Sequence, residues 1–136
     1  MLSKDLEDLL RAEHASSDLV HNAEIDDYIR KLGERAEILA HYENGCNGFV
    51  AYYCNDYESK KAFITMVVVR PAMRGKGIAR ALLQSVLGIM RQRGFTACSL
   101  EVGKHNTAAY RLYVDLGFRP SLEKDSSAIL SMDLTI

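Results

Sequence analysis

Cysteine is scarce in this chain: three residues, Cys46, Cys54 and Cys98, an odd number with no CxxC spacing. That excludes a disulfide framework and a cysteine zinc site, and it fits a protein kept in a reducing cytoplasm. His21, His41 and His105 form no ligand-spaced set, so no metal is expected. No stretch approaches the roughly 20 consecutive apolar residues of a membrane helix. Met1–Leu10 is acidic and amphipathic, unlike a secretory leader. Internal repeats, low-complexity tracts and proline-rich linkers are also missing. The 136 residues therefore read as one domain, 1–136.

Acid is missing from one segment. Residues 70–100 carry six bases (Arg70, Arg74, Lys76, Arg80, Arg91, Arg93) and no Asp or Glu. Residues 1–30 carry eight acids against three bases, although the net charge is only −1. A one-signed segment in a near-neutral protein fits a local anionic partner or a solvated helix face. It does not fit a long polyanion such as nucleic acid.

The sequence pattern changes period along the chain. Leu6, Leu9, Leu10 and then Ile25, Tyr28, Ile29, Leu32 recur at helical spacing. They predict helices over Leu2–Glu13 and Ile25–Arg35, with Gly33 as a stop for the second. Ala36–Glu43 and Phe49–Cys54 read as strands, parted by Asn44-Gly45 and Asn47-Gly48, residues that tight hairpin turns demand. Ala62–Arg70 reads as a central strand whose Val67-Val68-Val69 run packs on both faces until Pro71 ends it. A helix from Gly77 to Gln92 is stopped by Gly94. A strand over Thr96–Val102 and a helix over Asn106–Leu116, closed by Gly117, come next. A short extended piece from Phe118 and a last strand over Ala128–Thr135 complete the order. This is an α/β (mixed α+β) arrangement with an antiparallel front half and a crossover back half.

The chemistry-bearing stretch runs from Val67 to Ala79. A buried strand ends and a helix begins a few residues later, with Gly75 and Gly77 between them. Glycines let backbone N–H groups turn toward a ligand with no Cβ in the way, and the helix start adds its own unpaired N–H groups. Arg74, Lys76 and Arg80 crowd the positive end of that helix, where each is disfavoured by about 0.3–1 kcal/mol. No Ser, Thr, Asp or Asn caps it. Both features become favourable with a phosphate or diphosphate at the turn. The nucleotide string GxxxxGK[ST] is absent, and the dinucleotide string GxGxxG fails at Arg80.

The pattern Arg/Gln-x-x-Gly-x-Gly/Ala does fit, at Arg74, Gly77 and Ala79. A second string, Asn106-Thr107-Ala108-Ala109-Tyr110-Arg111-Leu112-Tyr113-Val114-Asp115-Leu116-Gly117-Phe118, matches Asn-x-x-Ala-x-x-Leu-Tyr-x-x-x-Gly-Phe. With these two motifs, over roughly residues 62–120, the chain resembles the GNAT superfamily of acyl-CoA N-acyltransferases. The resemblance implies a GNAT fold: a central mixed sheet splayed at the acyl-CoA site and flanked by helices. Helical periodicity starts near Leu2, so the sheet is expected to lack the first strand of that fold. The resemblance also implies acetyl-CoA as co-substrate. Arg74, Gly75, Lys76, Gly77, Ile78 and Ala79 would hold its diphosphate, the edge of Val67, Val68 and Val69 would pair with its pantetheine arm, and Asn106 would face that arm. Tyr113 would sit near the sulfur.

Acyl transfer to an amine needs a neutral amine and a place for the departing thiolate. Tyr113 is the candidate acid, although its helical stripe also suits a core tyrosine. Glu101 is the candidate base, because Cys98, Leu100 and Val102 share the other face of its strand. A solvent-facing strand glutamate is the other reading of that position. The Leu-Glu-Val string resembles ribosomal-protein N-terminal acetyltransferases within the superfamily. The acceptor is expected to be a small-molecule amine or a peptide N-terminus, attacking directly in a ternary complex. The acidic Ala15–Glu24 region would receive it, which suggests a cationic acceptor. His14-Ala-Ser-Ser-Asp18 has the spacing of another acyltransferase signature, HxxxD, but lacks its glycine and its context. A CoA-binding regulatory module without turnover, and a general phosphoanion-binding module, are the competing expectations. No membrane partner is expected, and a homodimer is left open.

Overall fold

The computed structural model describes residues 2–17 and 25–136. Two helices, α1 (Lys4–Ser17) and α2 (Ile25–Arg35), precede three strands, β1 (Glu37–Tyr42), β2 (Cys46–Tyr53) and β3 (Lys61–Val69). A 3₁₀ turn, Pro71–Met73, leads to α3 (Ile78–Gln92). Then come β4 (Ala97–Gly103), α4 (Thr107–Leu116), β5 (Arg119–Glu123) and β6 (Ser127–Asp133). The six strands form one sheet in the order β1-β2-β3-β4-β6-β5. Only β3 and β4 pair in parallel, with α3 as the crossover; every other neighbouring pair is antiparallel. Among the described residues no strand precedes α1.

The sheet is covered on both faces. Ile78, Leu82, Leu83, Val86, Leu87 and Met90 form the buried stripe of α3 and pack with Tyr113 of α4 on one face. Leu6, Leu9 and Leu10 of α1 pack with Ile29 and Leu32 of α2 on the other. The Val67–Val69 run serves both layers: Val68 belongs to the α1–α2 side, Val67 and Val69 to the α3 side.

Gly94 and Gly117 end α3 and α4 as the sequence predicts. Each has positive φ, and each helix closes with paired bonds, Gly94 N–H to Arg91 and Phe95 N–H to Met90, Gly117 N–H to Val114 and Phe118 N–H to Tyr113. Two other glycines correct the sequence reading. Gly33 lies inside α2 and does not stop it. Asn47-Gly48 lies inside β2, and the only turn between β1 and β2 is at Glu43–Gly45, where Asn44 and Gly45 both have positive φ. Gly48 is required for closeness: a Cβ there would stand 2.8 Å from the Val68 carbonyl oxygen and 3.4 Å from Ile78 Cγ2. The bare backbone lets the first turn of α3 settle against β2.

One irregularity shapes the site. Ala51 of β2 faces Met66, but Tyr52 faces Ile64, so Thr65 is an extra residue in β3. Such a bulge reverses the alternation of side chains beyond it and bends the strand. Ala62 and Ile64 accordingly face the α3 layer, whereas Met66 and Val68 face the α1–α2 layer. The parallel pairing of β3 with β4 stops at Ile64 and Leu100, immediately before the bulge.

Candidate active site

Beyond Ile64 and Leu100 the two parallel strands part. A cleft of about 540 Å³ lies between their free halves, lined by Thr65, Met66 and Val67 from β3 and by Glu101, Val102 and Gly103 from β4. Glu13, Tyr28, His105, Asn106, Tyr113 and Ser127 complete the lining. The edge of β3 from Thr65 to Val69 has β2 on one side and, among the described residues, no strand on the cleft side.

The loop with the two glycines lies at the end of that free edge. Gly75 and Gly77 have φ of 79° and 82°, values that side-chain-bearing residues rarely adopt. Gly77 caps α3 without a side-chain bond. Among the described residues the amides of Gly75, Lys76 and Gly77 meet no backbone acceptor, and those of Ile78, Ala79 and Arg80 are the first helical N–H groups, which have no intrahelical partner. Six consecutive amides are thus available at the positive end of a 15-residue helix. Ile78 is buried and pins this end to the core. Of the three cations near the turn, Arg74 bonds Glu13 and Arg80 pairs with Asp115 at 3.6 Å. Lys76 Nζ lies 3.8 Å from Met73 Sδ and is in no ion pair among the described residues.

Tyr113 is the only buried residue of α4. Its ring packs edge-on against the fully buried Phe118, with centroids 6.0 Å apart, so the Gly117 cap and Phe118 fix its position. Burial pushes its phenol up to about 12. Among the described residues its hydroxyl has no hydrogen-bond partner, and Tyr113 lines the cleft. Asn106 caps α4 by accepting from Ala109 N–H at 3.3 Å and also lines the cleft. Glu101 lies on the face opposite the buried Cys98, Leu100 and Val102, as its strand position predicts. Ser127 Oγ donates to its carboxylate at 2.6 Å and Lys124 Nζ at 3.3 Å. Those two donors, Ser127 first, hold Glu101 below the usual carboxylate range.

Tyr28, Thr65, Glu13 and Ser127 line the cleft without having been sequence candidates. Tyr28 donates to or accepts from Thr65 Oγ1 at 3.0 Å, and burial raises its phenol above the ordinary value. Its place in an apolar helical stripe hides it among core residues. Thr65 had a signal, as the lone hydroxyl in the β3 run KAFITMVVV. Glu13 and Ser127 come from distant elements, and no local pattern marks them. The acids of the first two helices mostly pair away from the cleft, Asp26 with Arg11 and Asp27 with Arg30 and Lys31. Of the Ala15–Glu24 region expected to receive the acceptor, residues 18–24 lie outside the described residues, as do His21 and the Asp18 end of the HxxxD string.

A mixed sheet parted at its only parallel pair, with a row of bare amides at the end of the free strand, is the architecture of acyl-CoA N-acyltransferases. The model of the Acetyltransferase (GNAT) family matches residues 4–118, and the chain belongs to that family. An L-2,4-diaminobutyric acid acetyltransferase of Vibrio cholerae is 29% identical over 85 residues, 62% of this chain and 45% of that protein. The N-alpha-acetyltransferase MAK3 of Arabidopsis thaliana is 32% identical over 81 residues, 59% of this chain and 43% of that protein. The chain spans less than half the length of these curated relatives. The PaiA N-acetyltransferase of Thermoplasma acidophilum, solved in complex with coenzyme A, has the same fold, with a TM-score of 0.74 and 18% identity over 96% of this chain and 91% of that one. Among the described residues no helix is long and apolar enough to cross a membrane, and no group of three or more His, Cys, Asp or Glu could hold a metal.

Proposed function

We propose that this chain transfers an acetyl group from acetyl-CoA to a primary amine, by direct attack in a ternary complex. The observation that carries the reading is the free half of β3, with the amides of Gly75–Arg80, unpartnered among the described residues, at one end and Tyr113 lining the same cleft. The amides receive the diphosphate, and the β3 edge supplies the missing strand contacts to the pantetheine arm. On this reading the thioester lies near the bulge, between Thr65 and Tyr113.

The amine nitrogen attacks the thioester carbon, and the carbon–sulfur bond breaks as the tetrahedral intermediate collapses. Tyr113, kept protonated by burial, gives its proton to the departing thiolate and takes one back from water in the cleft before the next turnover. The nitrogen loses a proton as it becomes an amide, and Glu101 takes it through water and returns it to bulk. Glu101 is a weak base, so it suits the acidified nitrogen of the intermediate better than a free ammonium near pKa 10. Acceptors with an α-amine, near pKa 8, therefore suit the cleft better than lysine-like amines. Both an N-terminal peptide amine and a small amino compound meet that description, as the names of the two relatives suggest.

Thermal shift with acetyl-CoA, CoA, ATP and NAD tests the first half. At about 100 times its dissociation constant a coenzyme adds roughly 2.7 kcal/mol, and ATP and NAD add much less. Thiol release across a panel of peptides and small amines tests the second half and separates an enzyme from a CoA-binding module. Tyr113→Phe is expected to lower kcat by about tenfold to 100-fold with CoA affinity unchanged. Equal kcat would remove Tyr113 from the chemistry.

A further inference from the structure

Two hydroxyls meet where β3 and β4 part. Tyr28 and Thr65 are both half-buried, both line the cleft, and their oxygens lie 3.0 Å apart. Tyr28 packs against the apolar layer of α1 and α2, which fixes its ring while its polar tip meets β3. Thr65 is the extra residue of the bulge and the first of β3 beyond the parallel pairing. A hydroxyl carries one donor and two lone pairs, and a bond between two hydroxyls uses one of each. The pair therefore keeps a surplus of lone pairs, and among the described residues neither oxygen makes another hydrogen bond. Other polar groups of the lining are engaged: Glu101 with Ser127 and Lys124, Asn106 with the Ala109 N–H.

Uncharged acceptors suit an amine that must react without its extra proton. A carboxylate in contact would favour the ammonium form and raise its pKa, whereas a hydroxyl accepts an N–H from the neutral amine without that shift. A neutral primary amine has two N–H groups and one lone pair. With one N–H on each hydroxyl, the lone pair is left for the thioester carbon. We infer that the Tyr28–Thr65 pair seats the acceptor nitrogen and thereby selects primary over secondary amines. A secondary amine has a single N–H and fills one of the two positions. The product amide also keeps a single N–H, so product is held by one bond fewer than substrate. This inference rests on the acetyl-transfer reading of the cleft.

Thiol release from acetyl-CoA tests it with two matched pairs: alaninamide and N-methylalaninamide, and an alanine-initiated pentapeptide and its N-methylated form. In the wild type the primary amine is expected to have the higher kcat/KM by about fivefold to tenfold, the scale of one hydrogen bond. Thr65→Val and Tyr28→Phe each remove one oxygen and keep the shape of the side chain. Each should bring that ratio to about twofold or less by slowing the primary amine alone. Thr65→Ser keeps the hydroxyl and should keep the ratio. A wild-type ratio retained in Thr65→Val and Tyr28→Phe, with both amines slowed alike, overturns the inference, because the pair is then only a packing bond between α2 and β3. A wild type without preference overturns it as well. If Tyr28→Phe does not fold, Thr65→Val decides, since valine suits a strand. No thiol release from any primary amine of the panel sinks the transfer reading and this inference with it, whereas release at an unchanged ratio sinks the inference alone.

Discussion

Burial keeps the Tyr113 phenol protonated up to about pH 12, whereas Ser127 and Lys124 keep the Glu101 carboxylate ionised well into acid. Neither group changes state near neutrality, so the pH dependence of turnover should follow the acceptor. With an α-amine near pKa 8, kcat/KM should rise about tenfold per unit below that value and then level off. An acid limb that stayed fixed when the acceptor pKa was changed would contradict this. The folded-state value of Glu101 is depressed, so its contribution to stability is present above the ordinary carboxylate range and lost as pH falls through the folded value. Urea midpoints measured from pH 6 to pH 3 should therefore converge for wild type and Glu101→Gln at the acid end. Glu101 was legible as a candidate because alternation along β4 fixes which face it takes. Its clamp was not, because Ser127 and Lys124 reach it across a strand pairing that no local pattern encodes.

At the scale of elements, the same residue type carried different meanings. Gly94 and Gly117 were readable as stops because a helix that ends in a left-handed residue selects glycine locally. Gly48 looked like half of a turn, but it is glycine because the Val68 carbonyl and Ile78 lie so close. That closeness exists only once β3 and α3 have been placed. Gly48→Ala should therefore cost about 1–3 kcal/mol, since the nearest obstacle is backbone and cannot rotate away. It should also weaken CoA binding, because Ile78 opens the helix that bears the amides. Denaturant unfolding and CoA titration measure the two effects, and a variant as stable as the wild type would refute the packing account. The bulge at Thr65 was likewise hidden, as register belongs to two strands together. The separation of β3 from β4 came from the motif resemblance, and the bulge supplies its physical cause.

Across the whole molecule, the two cores on opposite faces of the sheet were legible from periodicity, because helices and strands announce their buried sides. The pairing of charges was not. The acidic excess of the first helices suggested a receptive surface, yet among the described residues only Glu13 of that group reaches the cleft, and the rest largely neutralise nearby bases. In the basic segment Arg74 and Arg80 are engaged by Glu13 and Asp115, while among the described residues the amides of Gly75, Lys76 and Gly77 meet no backbone acceptor. Substituting Lys76→Gln should thus weaken CoA binding only modestly, about threefold, whereas a side chain forced into the left-handed turn, as in Gly77→Val, should abolish it. Titration of both variants distinguishes a backbone site from a charge patch.

Half of β3 has a neighbour on each side, and half has one neighbour only. A strand completed by a metabolite makes that metabolite part of the fold. Amide hydrogens from Thr65 to Val69 on the open side should exchange quickly with deuterium in the free protein and slowly once coenzyme is present.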